Sequence, residues 1–392
     1  MERFDVVVVG AGLAGLQATR LLARGGARVL LVERKNSVED SVHTTGIFVR
    51  RTLEDFDLPR ECLGPPVRRV KLYSPARRAQ VLESGHDEFR VGRMGRLYER
   101  MLEECLDARA AWSPATRYAG LEGARDFESG GGVVVRLERA GVERRVAARF
   151  IIGGDGARSR VARDLGLDEN REWIVGVEDV FRGVPPEGEP CFHCFLDPRL
   201  APGYLAWVVC DGEETHVGVG GYAQDFDPAR ALEEFRAEMA RRFDFTRARR
   251  VERRGGRIPV GGVLKRIVCR RGLLVGDAAG AVSPLTAGGL DPCMRLSSHA
   301  AEVVARYLST GDEAALARYS GARFRSRFLS RLWMRRALSS VRSPALLEAA
   351  CALSRRAPFD SFARHVFFGR GSFPDAAPAR PSLKAGESGA AV

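Results

Sequence analysis

The sequence predicts an α/β protein: a parallel sheet with helices on its faces, an antiparallel sheet inserted into it, and a helical cap at the C-terminal end. Three observations carry this reading. A run of four valines, residues 6–9, enters a glycine-rich turn and then a stretch with apolar residues at helical spacing. The same strand, glycine turn and helix pattern returns at residues 150–167 and 271–294. Between those two, residues 173–268 alternate apolar and polar in short runs, the period of half-buried antiparallel strands.

Taken in order, residues 4–33 read as a βαβ unit. A helix is expected over 96–108, where Leu97, Met101, Leu102 and Leu106 recur at helical spacing. Residues 131–150 look like a hairpin leading into the strand 150–153. Within 173–268, residues 204–210 and 215–222 form a strand pair, and 228–242 is a single helix. A buried strand returns at 272–276, and the chain is mostly helical from Leu290. The boundaries that follow are 1–172 for the first part of a ligand-binding domain, with the small hairpin inserted near 131–150, and 173–268 for an antiparallel-sheet substrate domain. Residues 269–310 complete the first domain, 311–373 form the helical C-terminal region, and 374–392, rich in Pro, Ala, Ser and Gly, read as a disordered tail.

Composition narrows the class. Of 392 residues, 45% are hydrophobic, yet no apolar run approaches the ~18 residues of a membrane span. The apolar run of the opening MERFDVVVV is too short for a secretory signal. Eight cysteines are scattered without a framework, which fits a reducing compartment and a cytoplasmic protein. Cys191 and Cys194 are the one close pair; no second pair stands at zinc-site spacing and the segment alternates like a strand, so no metal is assigned.

The motifs carry the chemistry. Gly10, Gly12 and Gly15 stand in the spacing G-x-G-x-x-G directly after the valine strand. Gly10 allows the sharp turn, Gly12 lets backbone N–H groups approach a pyrophosphate, and Gly15 lets the helix pack closely on the sheet. The phosphates then rest on the positive end of that helix, with Leu13 and Ala14 in the same turn. A second strand, residues 28–32, ends at Glu33, a carboxylate placed to accept from a ribose hydroxyl pair, with Arg34 beside it. Glu33 argues against a ribose 2′-phosphate here.

Two distant stretches decide which dinucleotide. Residues 150–167 place a glycine turn around Asp155 and Gly156 after a strand. Residues 271–294 place Gly276 and Asp277 at the end of another strand, then Pro284, Gly288 and Gly289 before a helix that opens at Leu290. An acid at the end of a parallel strand can hold a polyol, and exposed N–H groups at a helix start suit an anion such as a reduced flavin ring. A nicotinamide has no ribityl chain to hold. The cofactor is FAD, and the architecture is a Rossmann-like FAD-binding domain with an inserted antiparallel-sheet substrate domain and a helical C-terminal cap.

The order GAGLAG, GDGARS, GDAAG-x-x-x-P-L-T resembles the FAD-dependent oxidoreductases with the p-hydroxybenzoate hydroxylase fold, and within them the geranylgeranyl reductase branch, over about residues 4–305. That branch carries an aromatic pocket motif, Y-x-W-x-F-P followed by Gly. This chain keeps Tyr204, Trp207 and Gly218 but has Val209 and Cys210 in place of Phe and Pro, with one residue inserted. Where the branch places a Cys-Gly-Gly turn beside the flavin, this chain has His43, Thr44, Thr45 and Gly46. The resemblance also implies an arginine near the ribityl–phosphate region, Arg93, with Arg96 as the competing choice.

Flavin chemistry allows hydride transfer or oxygen activation, with the protein supplying position and exclusion of water. For alkene reduction a nearby acid must protonate the second carbon. His43 is the candidate, with an ordinary pKa suited to proton donation, and Tyr204 and Trp207 form a candidate platform for an apolar substrate. A turn histidine and plain core aromatics are the competing structural readings. Electrons come from NAD(P)H at a transient site or from a separate reductase acting as redox partner, because Gly153, Gly154, Asp155 and Gly156 do not form a second dinucleotide fingerprint. Three functions follow: reduction of carbon–carbon double bonds in a small apolar, isoprenoid-like substrate; oxygen-dependent hydroxylation of an aromatic or polyketide-like substrate; or non-redox, cyclase-like use of the flavin or a binding role alone.

The net charge of +12 is unevenly placed: between Arg318 and Arg370 twelve arginines face two acids, Glu348 and Asp360. They alternate with Phe324, Phe328, Leu329, Leu332, Trp333 and Leu338. Arginine stems over apolar surface with Trp among them suit a peripheral membrane surface or an anionic substrate. The competing reading is a helical cap in an arginine-rich composition. No nucleic-acid motif accompanies the charge.

Overall fold

The computed structural model describes residues 1–40, 42–122, 132–224, 226–356 and 359–369. The expected tail, 374–392, lies outside them. The opening βαβ unit is β1 (Glu2–Val9), α1 (Leu13–Arg24) and β2 (Val29–Val32), followed by β3 (Ile47–Val49), α2 (Arg50–Asp55) and β4 (Leu63–Val67). Next come β5 (Arg69–Tyr73), β6 (Ala79–Glu83), β7 (Phe89–Gly92), α3 (Met94–Asp107), β8 (Ala111–Ser113) and β9 (Arg117–Glu122). A hairpin of β10 (Val133–Arg139) and β11 (Val142–Gly153) leads to α4 (Arg160–Asp164). The inserted region holds β12 (Trp173–Arg182), β13 (Cys191–Phe195), β14 (Ala206–Cys210), β15 (Glu214–Gly221), α5 (Pro228–Met239) and β16 (Arg249–Pro259). The chain closes with β17 (Val268–Cys269), β18 (Gly272–Leu274) and helices α6 (Leu290–Thr310), α7 (Ala314–Ala317), α8 (Gly321–Ser326), α9 (Leu329–Ser340), α10 (Pro344–Ser354) and α11 (Phe359–Phe368).

An eight-stranded sheet runs β17-β18-β11-β1-β2-β8, with β10 and β9 continuing from β11. Its central strands are parallel and apolar toward their carboxyl ends: Val6, Val7 and Val8 of β1 and Phe150, Ile151 and Ile152 of β11 are fully buried, as a sheet covered on both faces requires. The chain leaves β1 toward β2 and later returns to its other side as β11, so the switch point lies at the carboxyl end of β1, where such sheets bind ligands. The expected hairpin is not a separate insertion. β11 is one long strand whose first half pairs antiparallel with β10, while its length from Val146 pairs parallel with β1.

The seven-stranded sheet, β16-β12-β15-β14-β13-β5-β6, corrects the expected boundary. Two of its strands, β5 and β6, come from the stretch assigned to the first domain. β5 joins by parallel pairing with β13, Tyr73 beside Phe195, a long-range contact that local pattern does not reveal. Helix α5 covers one face, burying Leu232, Phe235 and Met239 against Val208, Val217 and Val219. Period-two alternation then sends Trp207, Gly218 and Glu178 to the opposite face. A small sheet of β3, β7 and β4 lies in the same first stretch.

Helix α3 starts two residues before the expected 96 and turns a different face inward. Leu97 and Met101 are buried with Met94, Tyr98 and Cys105, whereas Leu106 is exposed. The cap is anchored through Tyr319, fully buried, whose hydroxyl donates to the Leu274 carbonyl on β18 at 2.7 Å while its ring meets His299 and Phe324. Tyr319→Phe should leave that carbonyl unpaired and lower unfolding free energy by about 1–3 kcal/mol, measured by urea denaturation. A loss below about 0.5 kcal/mol would show that the cap docks by packing alone.

Candidate functional site

The carboxyl ends of β18, β11 and β1 lie side by side, so the three glycine turns read in the sequence converge. Their approach depends on missing side chains. Gly10 has φ +97°, and a Cβ there would stand 2.4 Å from the Gly154 carbonyl oxygen; one on Gly15 would stand 1.8 Å from the Gly10 carbonyl oxygen. Helix α1 begins on Gly12 with no side-chain cap and no acid in its first turn. Its first N–H groups therefore lack helical partners, and Gly12, Leu13 and Ala14 line a large cavity. That fits a pyrophosphate. Glu33 is buried, its Oε2 accepting from Ala11 N at 2.8 Å and its Oε1 from Lys35 N at 3.1 Å, so it shapes the turn as well as offering lone pairs to a ribose.

Asp277 gives the clearest test of the cofactor's fit. Its backbone carbonyl accepts from Asn170 Nδ2 at 2.8 Å, but its carboxylate, on the cavity wall, has no hydrogen-bond partner among the described residues. Burial pushes its pKa up to about 6. Buried polar groups are normally paired, and a ribityl hydroxyl would pair this one. Gly276, Gly288, Gly289 and Leu290 line the same wall, and α6 opens on Gly289 without a side-chain cap. Ala287 holds the left-handed backbone, φ +52°, that glycine takes more easily.

Several expected residues lie elsewhere. Asp155 turns away from the cavity to cap α4, accepting from Ser159 Oγ at 2.6 Å and from the N–H groups of Arg160 and Val161, while Gly156 reaches the cavity wall. Arg93 does not point at the cofactor cradle: it binds the Glu61 and Asp211 carbonyls and Glu213. Arg96 makes a bidentate pair with Glu213 at 3.0 Å. Arg34 is exposed and Pro284 buried, and neither lines the cavity, whereas Lys35 does. Thr45, Gly46 and His43 do reach it. Partial burial, with Lys35 and Arg34 nearby, pulls the His43 imidazole below its ordinary pKa, so it is a poor proton donor at neutral pH. His193, between Cys191 and Cys194, is buried on Tyr73, Nδ1 to Oη 3.1 Å, its pKa pushed down to about 3 by burial.

The cavity, about 950 Å³, continues from the cofactor turns across the antiparallel sheet. Trp207 lies against Gly218, where a Cβ would stand 2.2 Å from its ring, and Tyr204 lies against Gly220, the two rings edge to face at 68°. The two glycines let both rings lie on β15. Tyr204 Oη donates to the Thr286 carbonyl at 2.7 Å, tying the platform to the turn before α6. Trp207 Nε1 donates to Glu178 at 3.2 Å. Beyond the platform the walls are Phe192, Leu72 and Phe89 on one side and residues of α9, α10 and α11, among them Met334, Leu338, Ala350 and Phe367, on the other. Glu178 escaped the sequence reading, although an acid in the apolar run WIVGVEDVF on a period-two strand was a usable signal. Arg335 of α9 is buried between Tyr204 and Tyr222, ring centroids 5.5 and 5.0 Å from its guanidinium carbon, which no spacing rule would reveal.

The sequence matches the description FAD binding domain over residues 3–328. It is 30% identical over 316 residues to a digeranylgeranylglycerophospholipid reductase of Methanothrix thermoacetophila, covering 79% of this chain and 80% of that protein. It is 32% identical over 327 residues to digeranylgeranylglycerophospholipid reductase 1 of Methanothermobacter thermautotrophicus, covering 79% of each. In fold it is similar to a geranylgeranyl bacteriochlorophyll reductase-like protein of Thermoplasma acidophilum, with TM-score 0.80 at 20% identity over 95% of this chain and 98% of that one. A p-nitrophenol 4-monooxygenase of Pseudomonas putida superposes with TM-score 0.71 at 19% identity, over 94% and 96% of the two chains.

The unpaired carboxylate sets a prediction. Asp277→Ala should lower FAD affinity about ten- to a hundredfold, the worth of a charge-assisted hydrogen bond of roughly 1.5–3 kcal/mol, read as the flavin-to-protein absorbance ratio after gel filtration. Because the free carboxyl titrates near 6 and accepts best when ionised, wild-type affinity should fall as pH drops below about 6, and the Asp277→Ala variant should lose that dependence. Full occupancy in the variant would remove Asp277 from the site.

Proposed function

The chain belongs to the FAD-dependent oxidoreductases that carry this FAD binding domain, in the geranylgeranyl reductase-like branch, and from that premise we propose that it saturates carbon–carbon double bonds of an isoprenoid-type lipid chain. The observation that carries this is the apolar cavity. The part of its about 950 Å³ beside the glycine turns is the cofactor's own, and past those turns the cavity runs on between the sheet and α9–α11, walled by Phe192, Leu72, Phe89, Met334 and Leu338. A long flexible chain can slide through such a channel and present successive bonds to one reacting point. Bound flavin in its reduced form supplies the hydride. The protein supplies the rest: Trp207 and Tyr204 as an aromatic corner, their rings edge to face at 68°, the Thr44–Thr45–Gly46 turn and the Gly288–Gly289 turn as the opposing edge, and apolar walls that exclude water. The monooxygenase reading shares the fold but asks for no such length of apolar wall past the cofactor turns. The flavin is reduced by NAD(P)H or by a separate reductase.

The outer surface of α9–α11 supports the same reading. Trp333 is 67% and Phe362 58% exposed, and Leu329, Leu346, Leu353 and Phe359 are exposed as well. Three of the nearby arginines turn inward rather than to solvent: Arg325 onto the Gly261 and Val263 carbonyls, Arg331 onto Ser283, and Arg335 between the tyrosines. Others, Arg323, Arg336, Arg356 and Arg364 among them, remain exposed. Exposed apolar residues ringed by arginine suit the surface of an anionic bilayer, from which a lipid chain would enter between the helices. No helix among the described residues is long and apolar enough to cross a membrane, so the contact is peripheral.

Two measurements test this. Anaerobically reduced protein given a lipid with geranylgeranyl chains should yield product heavier by two hydrogens per double bond, read by mass spectrometry. Unchanged chains, together with fast oxygen-dependent hydroxylation of an aromatic, would replace the reductase with a monooxygenase. In the second, the protein should pellet with anionic vesicles, not neutral ones, and release as salt rises. Equal pelleting with both would leave the exposed helices as an ordinary cap.

A further inference from the structure

The cavity face of the antiparallel sheet carries a file of buried charges. Glu178 of β12 is 4% exposed, yet it borders the cavity. Its Oε2 accepts from Thr45 Oγ1 at 2.6 Å and from Trp207 Nε1 at 3.2 Å. Its Oε1 faces His216 Nδ1 at 3.4 Å and Arg254 at 3.6 Å. His216, 2% exposed, aims Nε2 at Asp211 Oδ2, 3.9 Å away, and that nitrogen has no hydrogen-bond partner among the described residues. Asp211 is itself buried, but it sits in the turn between β14 and β15, whose Gly212 and Glu213 are exposed, and it accepts from the N–H groups of Glu213 and Glu214. The file therefore runs from an exposed turn, through the sheet, to a hydroxyl on the cavity wall.

A purely structural account of this file is weak. Buried ion pairs seldom stabilise more than apolar residues of the same volume would, and Val91 and Val209 surround this one with core. A metal trio is disfavoured: Asp211, Glu214 and His216 bring ligand atoms within 4.8 Å of one another, but Glu214 is held by Arg182 at 2.8 Å. The geometry points to a proton relay, in which His216 and Glu178 share one transferable proton that leaves through the Thr45 hydroxyl to the substrate and is replaced from the Asp211 turn. This rests on the reductase reading above. Saturating a double bond breaks one π bond and forms two C–H bonds, one from the hydride of reduced FAD and one from a proton. Thr45 gives its hydroxyl proton to the second carbon as His216 gives its proton to the ionised Glu178, which passes one on to the Thr45 oxygen and ends as the carboxylate it began as. His216 then recovers a proton from water at the turn beside Asp211.

The electrostatics agree. Burial opposes charge on His216, but Glu178 and Asp211 more than offset it and push the imidazole up to about 9. Burial likewise opposes charge on Glu178, and His216, Thr45 and Arg254 outweigh it, so the carboxyl is held below its ordinary value. The other charged groups at hand are already engaged: Arg254 also binds Glu252 and the Thr44 carbonyl, and Arg93 binds Glu213 and the Asp211 carbonyl. His43 stands on the same turn as Thr45 with its pKa lowered. A raised histidine pKa means the proton is held below about 9 and lost above it, and its stabilising contribution is fully present below about 6.5.

The test begins on protein without substrate. The His216 imidazole, followed by NMR, should remain protonated through pH 8, and Glu178→Gln should lower its midpoint by at least about one unit; a wild-type midpoint near 6.5 overturns the relay. In single turnovers of reduced enzyme, Thr45→Val at full flavin content should slow chain reduction by about a hundredfold, in line with general acid catalysis. Thr45→Ser should restore most of it, and the wild-type rate should fall as pH rises through about 9. A Thr45→Val enzyme as fast as wild type, or a Thr45→Ser enzyme as slow as Thr45→Val, overturns it. Should the wild type reduce no chain, the reductase reading fails, while the His216 titration still decides for or against the stored proton.

Discussion

Clearance between backbones is the constraint on which this molecule rests. The turns after β1 and β11 come so close that a Cβ on Gly10 would stand 2.4 Å from the Gly154 carbonyl oxygen. Without that approach the start of α1 could not stand beside the ends of β11 and β18. Those three ends form the cradle proposed for the cofactor, because in a parallel sheet every carboxyl end points the same way and the switch in strand order opens a gap between them. The uncapped start of α1 and the unpaired Asp277 are then complementary to one extended ligand, its phosphates at one and its hydroxyls at the other.

The same device recurs in the second sheet. Gly218 and Gly220 on β15 remove the Cβ atoms that would lift Trp207 and Tyr204 off the strand. With the rings seated there, Trp207 reaches Glu178 and Tyr204 reaches the Thr286 carbonyl. Arg335 then packs α9 onto Tyr204 by a cation–π contact. Platform, cap and cofactor turn are thereby held to one another by a few directional contacts across a large apolar space. That division suits a site that must grip a cofactor tightly and let a greasy chain slide.

The helical cap shows where charge counting misleads. Twelve arginines between Arg318 and Arg370 look alike in a sequence, but burial sorts them. Arg325 satisfies two carbonyls and Arg335 fills a slot between two tyrosines, and these are structural. The apolar residues sort too: Phe324 and Phe328 are core, while Leu329 and Trp333, one and five residues past Phe328, are exposed. Helical periodicity places residues on faces but does not say which face a neighbour covers.

What the sequence determined by itself was local or carried by chemical necessity. The three strand–glycine–helix units, the strand pair of β14 and β15, the α5 helix and the choice of FAD all follow from short-range spacing, because a turn that must approach a pyrophosphate tolerates few residue types. Tertiary structure alone decided what depends on distant neighbours. Pairing with β13 moved β5 and β6 into the second sheet; a helix start claimed Asp155 as its cap; and Glu213, far along the chain, drew Arg93 and Arg96 away from the cradle. The buried file of Thr45, Glu178, His216 and Asp211 joins a loop and two strands separated by more than a hundred residues in places. A carboxylate's neighbours set its protonation, and those neighbours exist only once the sheet has formed.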